Sequence, residues 1–433
     1  MNWLFVISTL VCTVLGRVAM GAALGLTGLL ILLMFSNGAT QVGAFAVFGF
    51  LTKFTLSAIP IFLVMGEIIV ESGLSNRVYQ ATSPLFQRIP GRLIHTNILA
   101  CALFGAVSGS SSATAAAVSS VSYPELVKRG YDKGFIIGSI AAGGTLGLLI
   151  PPSLALIIYG AWQEVSIGAL FLAGIVPGLL IALMFSAYIA ITGLLNPSLV
   201  PELNQTGNMD SLLKRILLCL RGIWPLGILI FAVLGTIYAG FATPTEAAGL
   251  GVFSAVILGF LVGDLTFKRL VVAVNRSVKH FGIIAFVLMG AAILSHAVSI
   301  IGLPREIVEV VTAWELSKYE LIVIVTLLYV VLGCIFEGLS LMILTLPFLY
   351  PVVTGAGFDP VWFGVYVTIM IEVGLITPPV GLNLYFLSAI AGKQVGMGTI
   401  ARSALPYWFL LLFATMLIVV FPQIVLLIPE SAR

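Results

Sequence analysis

Gly143-Gly144-Thr145-Leu146-Gly147-Leu148-Leu149-Ile150-Pro151-Pro152 interrupts one long apolar run, and Gly374-Leu375-Ile376-Thr377-Pro378-Pro379-Val380-Gly381 interrupts another. Consecutive prolines remove two backbone donors, so carbonyls on the preceding turn lose their helical partners. Unwound backbone is costly in lipid unless it lines a cavity or holds something. Lipid is the expected solvent, because the 433-residue chain is 60% hydrophobic and 9% charged, against about 25% charged in a soluble domain. Runs that approach or exceed the roughly 20 apolar residues of a membrane helix lie near 3–16, 20–36, 50–72, 94–123, 134–160, 168–195, 222–240, 244–263, 279–300, 319–353, 361–388 and 400–428. The expected fold class is an all-α polytopic membrane protein in a lipid bilayer.

The two interruptions are copies of one pattern. Gly147-Leu148 before Pro151-Pro152 recurs as Gly374-Leu375 before Pro378-Pro379, Tyr123-Pro124 as Tyr350-Pro351, and Gly130-Tyr131-Asp132 as Gly357-Phe358-Asp359, all at an offset of 227 residues. Gly105 and Gly333 follow at 228, and Gly73-Leu74 and Gly302-Leu303 at 229. A duplication explains this register. The polar stretch 196–221 reads as a cytoplasmic linker between a first repeat, 1–195, and a second, 222–433.

Basic residues mark cytoplasmic loops. Arg77, Arg88 and Arg92 precede the 94–123 run, and Lys128, Arg129 and Lys133 follow it. A run that returns to its own side has two arms of roughly 14 residues, each rising about 21 Å, short of the ~30 Å core. It is therefore expected to be a re-entrant hairpin with its tip at Ser108-Gly109-Ser110-Ser111-Ser112. The loop after the equivalent 319–353 run, 354–360, has no Lys or Arg, so the second hairpin is expected to open outward. That makes the repeat inverted, with ten full crossings, two hairpins, two broken helices, both termini outside and an uncharged outer loop at 37–49. The apolar start lacks a basic n-region and an A-x-A-like site, so it is expected to stay as a first helix.

Inverted repeats with interrupted helices place solute and ion sites near the midplane of secondary transporters. Free carbonyls attract cations and helix N-termini attract anions. Each tip is expected to face the break of its own half and to hold one small hard cation, most plausibly Na⁺. The candidate ligands are Gly105, Ser108, Ser110, Gly147 and Ile150 in the first half, and Gly333, Gly338, Gly374, Thr377 and Val380 in the second. The plainer reading is that these residues permit close packing and kinks. Solute contacts are expected from Ser110, Ser111, Ser112, Ser340, Thr377 and Asn383 between the tips, with Glu337 orienting a hydroxyl or amine or capping local amides. Such a hydroxyl- and amide-lined site suits a small carboxylate.

Intramembrane acids offer a rival, proton-coupled mechanism. Glu67, Glu71, Glu246, Glu337 and Glu372 are the candidates, but at the shared offset Glu372 pairs with Thr145 and Glu337 with Ser110, so they break the symmetry. Glu67 and Glu71 share a helix face and suit a structural or interfacial role. His296 reads as packed and hydrogen-bonded. Cys12, Cys101, Cys219 and Cys334 lack metal or redox spacing and read as small apolar residues. The net charge of +3 and the absence of a basic-aromatic patch imply no nucleic-acid partner.

The motifs Ser108-Gly109-Ser110-Ser111, Ile150-Pro151-Pro152-Ser153, Leu170-Phe171, Ala173-Gly174-Ile175, Pro177-Gly178, Thr243-Pro244-Thr245-Glu246-Ala247-Ala248 and 372–384, Glu372-Val373-Gly374-Leu375-Ile376-Thr377-Pro378-Pro379-Val380-Gly381-Leu382-Asn383-Leu384, carry a resemblance. The chain resembles, over nearly its whole length, the large membrane subunit of TRAP transporters (tripartite ATP-independent periplasmic transporters, DctM type). Gly16-Arg17-Val18-Ala19-Met20 departs from the family's Gly-Val-Pro-Ile-Ala pattern at the second helix. The resemblance implies a multi-pass protein of the bacterial inner membrane. It implies Na⁺-coupled import of a C4-dicarboxylate, a sialic acid or another sugar acid. It also implies a separate small four-helix membrane subunit and a periplasmic substrate-binding protein as partners. The implied architecture is elevator-type, like the ion transporter superfamily, with 94–165 and 319–395 moving. The alternatives are a stand-alone Na⁺- or H⁺-coupled carboxylate carrier, a passive channel, and a membrane-embedded enzyme. The last finds no H-E-x-x-H, G-x-S-x-G or paired intramembrane aspartates to support it.

Overall fold

The computed structural model describes residues 2–36, 38–201, 212–378, 381–392 and 395–431. Among them every regular element is helical, as expected where backbone N–H and C=O groups must pair within their own segment. Eight helices are long and apolar enough to cross a membrane: Phe54–Glu71, Lys133–Gln163, Ile167–Leu195, Leu213–Tyr238, Pro244–Leu261, Phe267–Ile300, Gly338–Gly355 and Met397–Val420. The helices Met20–Phe35, Ile94–Ser108, Pro360–Leu375 and Leu382–Ala391 are apolar but shorter.

The four long runs singled out in the sequence each become two helices. The 94–123 run, expected as the first hairpin, is Ile94–Ser108 and Ser111–Lys128. The 134–160 run is Lys133–Leu149 and Leu154–Gln163, the first broken helix. The 319–353 run, expected as the second hairpin, is Lys318–Gly333 and Gly338–Gly355. The 361–388 run is Pro360–Leu375 and Leu382–Ala391, the second broken helix.

The loops differ more. The stretch expected as an outer loop at 37–49 contains most of a helix, Gln41–Leu51, packed against Phe267–Ile300. A run of small and aromatic residues without a charge has apolar surface to bury and folds onto its neighbour. The polar stretch 196–221 is already helical from Leu212, and residues 202–211 lie outside the described part. The last run splits into Met397–Val420 and Gln423–Ser431 at Phe421-Pro422, where Pro422 has no N–H to give the Ile418 carbonyl.

Some positions 227 residues apart share backbone conformations. Gly130 and Gly357 both turn through the left-handed region, at φ 85° and 90°. Each precedes an aspartate that caps a broken helix: Asp132 accepts from the Phe135 amide at 2.8 Å, and Asp359 from Val361 and Trp362 at 2.7 and 3.1 Å.

Small residues set the spacing between helices. Met20–Phe35 lies along Phe267–Ile300. A Cβ added at Gly28 would stand 2.8 Å from the Leu294 nitrogen, and one at Gly290 would overlap the Gly21 carbonyl. In lipid, where apolar burial drives little, this backbone-to-backbone packing holds helices together. Lys133–Leu149, Leu154–Gln163 and Pro360–Leu375 are deeply enclosed, with Tyr159, Trp362, Phe363 and Tyr366 buried among them, whereas Leu382–Ala391 exposes Tyr385 and Phe386. Tyr159 crosses between halves, its hydroxyl donating to the Pro360 carbonyl at 2.7 Å.

Candidate functional site

At the first tip, helix Ile94–Ser108 stops because Gly109 adopts φ 62°, a left-handed turn that glycine makes without a Cβ penalty. Ser110 then returns to extended backbone and caps Ser111–Lys128, accepting from the Ala113 amide at 3.4 Å. Thr114 folds back over the turn. Its hydroxyl donates to the Ser110 carbonyl at 2.7 Å and lies 2.9 Å from the Ser108 hydroxyl.

This turn sits on the first break. A Cβ at Gly105 would come within 2.5 Å of the Gly147 Cα, and one at Gly147 within 2.7 Å of Thr114 Oγ1 and 2.9 Å of the Ser110 carbonyl oxygen. The Gly109 carbonyl accepts from the Leu154 amide at 3.3 Å. Pro151 offers no N–H to the Gly147 carbonyl, and Pro152 none to the Leu148 carbonyl, which the Ser153 hydroxyl takes instead. The peptide between the two prolines is cis. Ser153 also caps Leu154–Gln163 through the Leu156 amide at 3.3 Å. Gly105, Ser108, Ser110 and Gly147 are thus drawn into one oxygen-rich cluster. Ile150 stands at its edge in extended backbone and packs on Gly178.

The second half repeats the central contact. A Cβ at Gly333 would lie 2.8 Å from the Gly374 Cα. Gly338 is buried against Ile371, where a Cβ would meet Cγ2 at 2.3 Å. Glu337 caps Gly338–Gly355, accepting from the Leu339 and Ser340 amides at 3.2 and 3.0 Å and from the Ser340 hydroxyl at 3.1 Å. Its side chain is exposed and engaged with its own helix end. Thr377 is buried; its hydroxyl donates to the Val373 carbonyl at 2.5 Å and accepts from the Trp408 indole at 2.8 Å. Val380 lies outside the described residues.

One direct polar contact joins the halves at the centre. The Asn383 amide donates to the Ser111 hydroxyl at 2.8 Å, both residues being buried, while Asn383 Oδ1 has no partner. Helix Leu382–Ala391 accordingly lies on Ser111–Lys128 of the first hairpin. Glu372 is fully buried nearby in sequence, and neither of its carboxyl oxygens has a hydrogen-bond partner among the described residues. Ser340 and Thr377 are occupied within their own half, so among the expected solute contacts only Ser111 and Asn383 meet across the halves.

The remaining acids stand apart. Glu71 pairs with Arg276 and Glu67 with His280 at 3.0 Å, both between helices. Glu246 forms a capping box with Thr243. His296 is exposed and bonds only the Ala292 carbonyl of its own helix, at 3.1 Å. Cys101 and Cys219 are buried, Cys334 is partly buried and Cys12 is exposed. Among the described residues no cluster of His, Cys, Asp and Glu could hold a metal ion.

Residues 6–424 match the family described as Tripartite ATP-independent periplasmic transporter, DctM component. The chain belongs to this TRAP transporter family. It is 34% identical, over 94% of both chains, to the C4-dicarboxylate TRAP transporter large permease protein DctM of Pseudomonas aeruginosa. It is 32% identical, over 95% of this chain and 94% of the other, to the sialic acid TRAP transporter large permease protein SiaM of Vibrio cholerae. Its fold is similar to the crystal structure of the Alcanivorax borkumensis YdaH transporter, with a TM-score of 0.62 at 15% identity over 91% of each chain. The TRAP permease is therefore a multi-pass protein of the bacterial inner membrane and not an enzyme. Sequence reasoning missed two polar groups of its candidate site. Thr114, four residues after Ser110, carried a helical-spacing signal; Trp408, which reaches Thr377 from another helix, carried none.

Proposed function

We propose that this TRAP permease carries a small organic acid into the cell, driven by Na⁺, and that it receives the acid from a periplasmic binding protein and works beside a small four-helix membrane subunit. The observation that carries this reading is the glycine contact made twice, Gly105 on Gly147 and Gly333 on Gly374. Each sets a hairpin tip on a proline-interrupted helix, where carbonyls released from helical pairing face hydroxyls. Oxygen-only donors of this kind suit a hard cation. Na⁺ would be held by Gly105, Ser108, Ser110, Gly147 and Ile150 at the first site and by Gly333, Gly338, Gly374, Thr377 and Val380 at the second. The acid would lie between the tips, against Ser110, Ser111, Ser112, Glu337, Ser340 and Asn383.

The same contacts support an inverted repeat, 1–195 against 222–433, of ten crossings and two re-entrant hairpins. On this reading Gly338–Gly355 turns back within the bilayer, while the shorter Asn2–Leu15, Met20–Phe35 and broken Pro360–Leu375 and Leu382–Ala391 segments span it. Residues 94–165 and 319–395 would then move together as an elevator. The substrates named for these two relatives, C4-dicarboxylates and sialic acid, both carry carboxylates, which is the class proposed here.

Reconstitution into proteoliposomes with the small subunit and binding protein tests the reading. Uptake of succinate or N-acetylneuraminate should need an inward Na⁺ gradient and the binding protein. Uptake by the chain alone on a proton gradient would refute it.

A further inference from the structure

Two cavities meet at a single ion pair. The larger, of about 730 Å³, is walled by Lys53, Phe54 and Thr55 on one side and by Gly160, Glu164 and Ser166 on the other. The smaller, of about 350 Å³, lies against the same pair and reaches Trp162 and His296. Between them Lys53 Nζ stands 2.7 Å from Glu164 Oε1. Among the described residues lining these two cavities, Lys53 is the one lysine or arginine.

The two partners belong to different parts of the fold. Lys53 leads into the helix Ala58–Glu71. Glu164 ends Leu154–Gln163, the outer segment of the first broken helix, in left-handed backbone at φ 57°. The larger cavity has the size of a small-molecule site, roughly 300–1,000 Å³. The Glu164 side chain is 77% exposed and that of Lys53 35%. An ion pair this open to water holds weakly and yields to a competing anion. Ser166 caps the 29-residue helix Ile167–Leu195 at the cavity wall, so the positive end of that helix adds to the field of Lys53.

We infer that the cavity at Lys53 is an outer binding site for a carboxylate-bearing solute, with Lys53 as its anchor and Glu164 as the internal carboxylate that the solute displaces. The inference rests on the proposed import of organic acids and on the charge pattern that puts this face outside. Displacement also removes the ion pair between the end of Leu154–Gln163 and the segment that leads into Ala58–Glu71.

The test labels lysines of the full chain in detergent with an amine-acetylating reagent and reads each site by peptide mass spectrometry. Succinate or N-acetylneuraminate replaces chloride at constant ionic strength. Acetylation of Lys53 should slow several-fold and saturably, while the exposed Lys268 and Lys279 react unchanged. In Glu164→Gln, Lys53 should react faster without solute and be protected at several-fold lower acid concentration. Absence of saturable protection of Lys53 by both acids, in wild type, overturns the site whatever Glu164→Gln does. Protection without Na⁺-driven uptake would sink the importer reading and leave the site standing; uptake without protection would sink the site alone.

Discussion

The two tips make the same glycine contact with different polar chemistry around it. At the first, Ser108, Ser110 and Thr114 form a hydroxyl and carbonyl cluster pressed onto the break. At the second, the acidic Glu337 takes the place of Ser110 at the shared offset of 227 and does the same local work, capping the helix that follows. Two different residues thus fill the same capping role, because a helix N-terminus needs an acceptor and accepts either a hydroxyl or a carboxylate. The second tip is also more open: Glu337 is exposed, whereas Ser108 and Ser111 are buried. Backbone approach is what the halves have in common, and side-chain chemistry is where they are free to diverge.

The sharpest way to break the comparison is to fill the glycine contacts. Gly105→Ala places a methyl 2.5 Å from Gly147 Cα, and Gly333→Ala one 2.8 Å from Gly374 Cα. Backbone cannot yield as a side chain does, so each should cost about 1–3 kcal/mol. The first should also lose at least tenfold in Na⁺-driven uptake, with thermal unfolding in detergent separating stability from transport. Equal loss at both would show two equivalent sites; loss at one alone would show that the halves do different work.

Next is the bridge between halves. Asn383→Ala leaves the buried Ser111 hydroxyl without its partner, a loss of about 1–3 kcal/mol, read as a lowered melting temperature. Ser111→Ala with Asn383→Ala should cost less than the sum of the single changes, since each removes the same bond.

A smaller effect is expected at the caps. Ser110→Ala and Glu337→Ala each remove an N-cap acceptor and should cost about 0.5–2 kcal/mol. Ser110→Ala should raise the Na⁺ concentration needed for half-maximal uptake, because Ser110 also belongs to the oxygen cluster. Glu337→Gln keeps an acceptor and should lie near wild type in stability. The smallest effect should come from Trp408→Phe, which removes one hydrogen bond to Thr377 worth about 0.5–1.5 kcal/mol; a weakened response to Na⁺ without unfolding would place Thr377 among the ion's ligands.

Much of the helical organisation was legible in the chain. Apolar runs, paired prolines and the Gly-Tyr-Asp and Gly-Phe-Asp signals are local, and local chemistry sets where a helix starts, caps and stops. Gln41–Leu51 was not legible, since an uncharged stretch of Gly, Ala and Phe reads equally as loop or packed helix until a neighbour is known.

By itself the sequence determined the membrane-embedded helical class and where its long apolar runs divide, because composition, proline and periodicity act within a few residues. Only the tertiary structure decided that Ser111 meets Asn383, that Trp408 reaches Thr377, and that Lys53 meets Glu164. Those contacts join residues 31 to 272 positions apart, and their partners are chosen by how helices pack, a property of whole surfaces that no local pattern encodes.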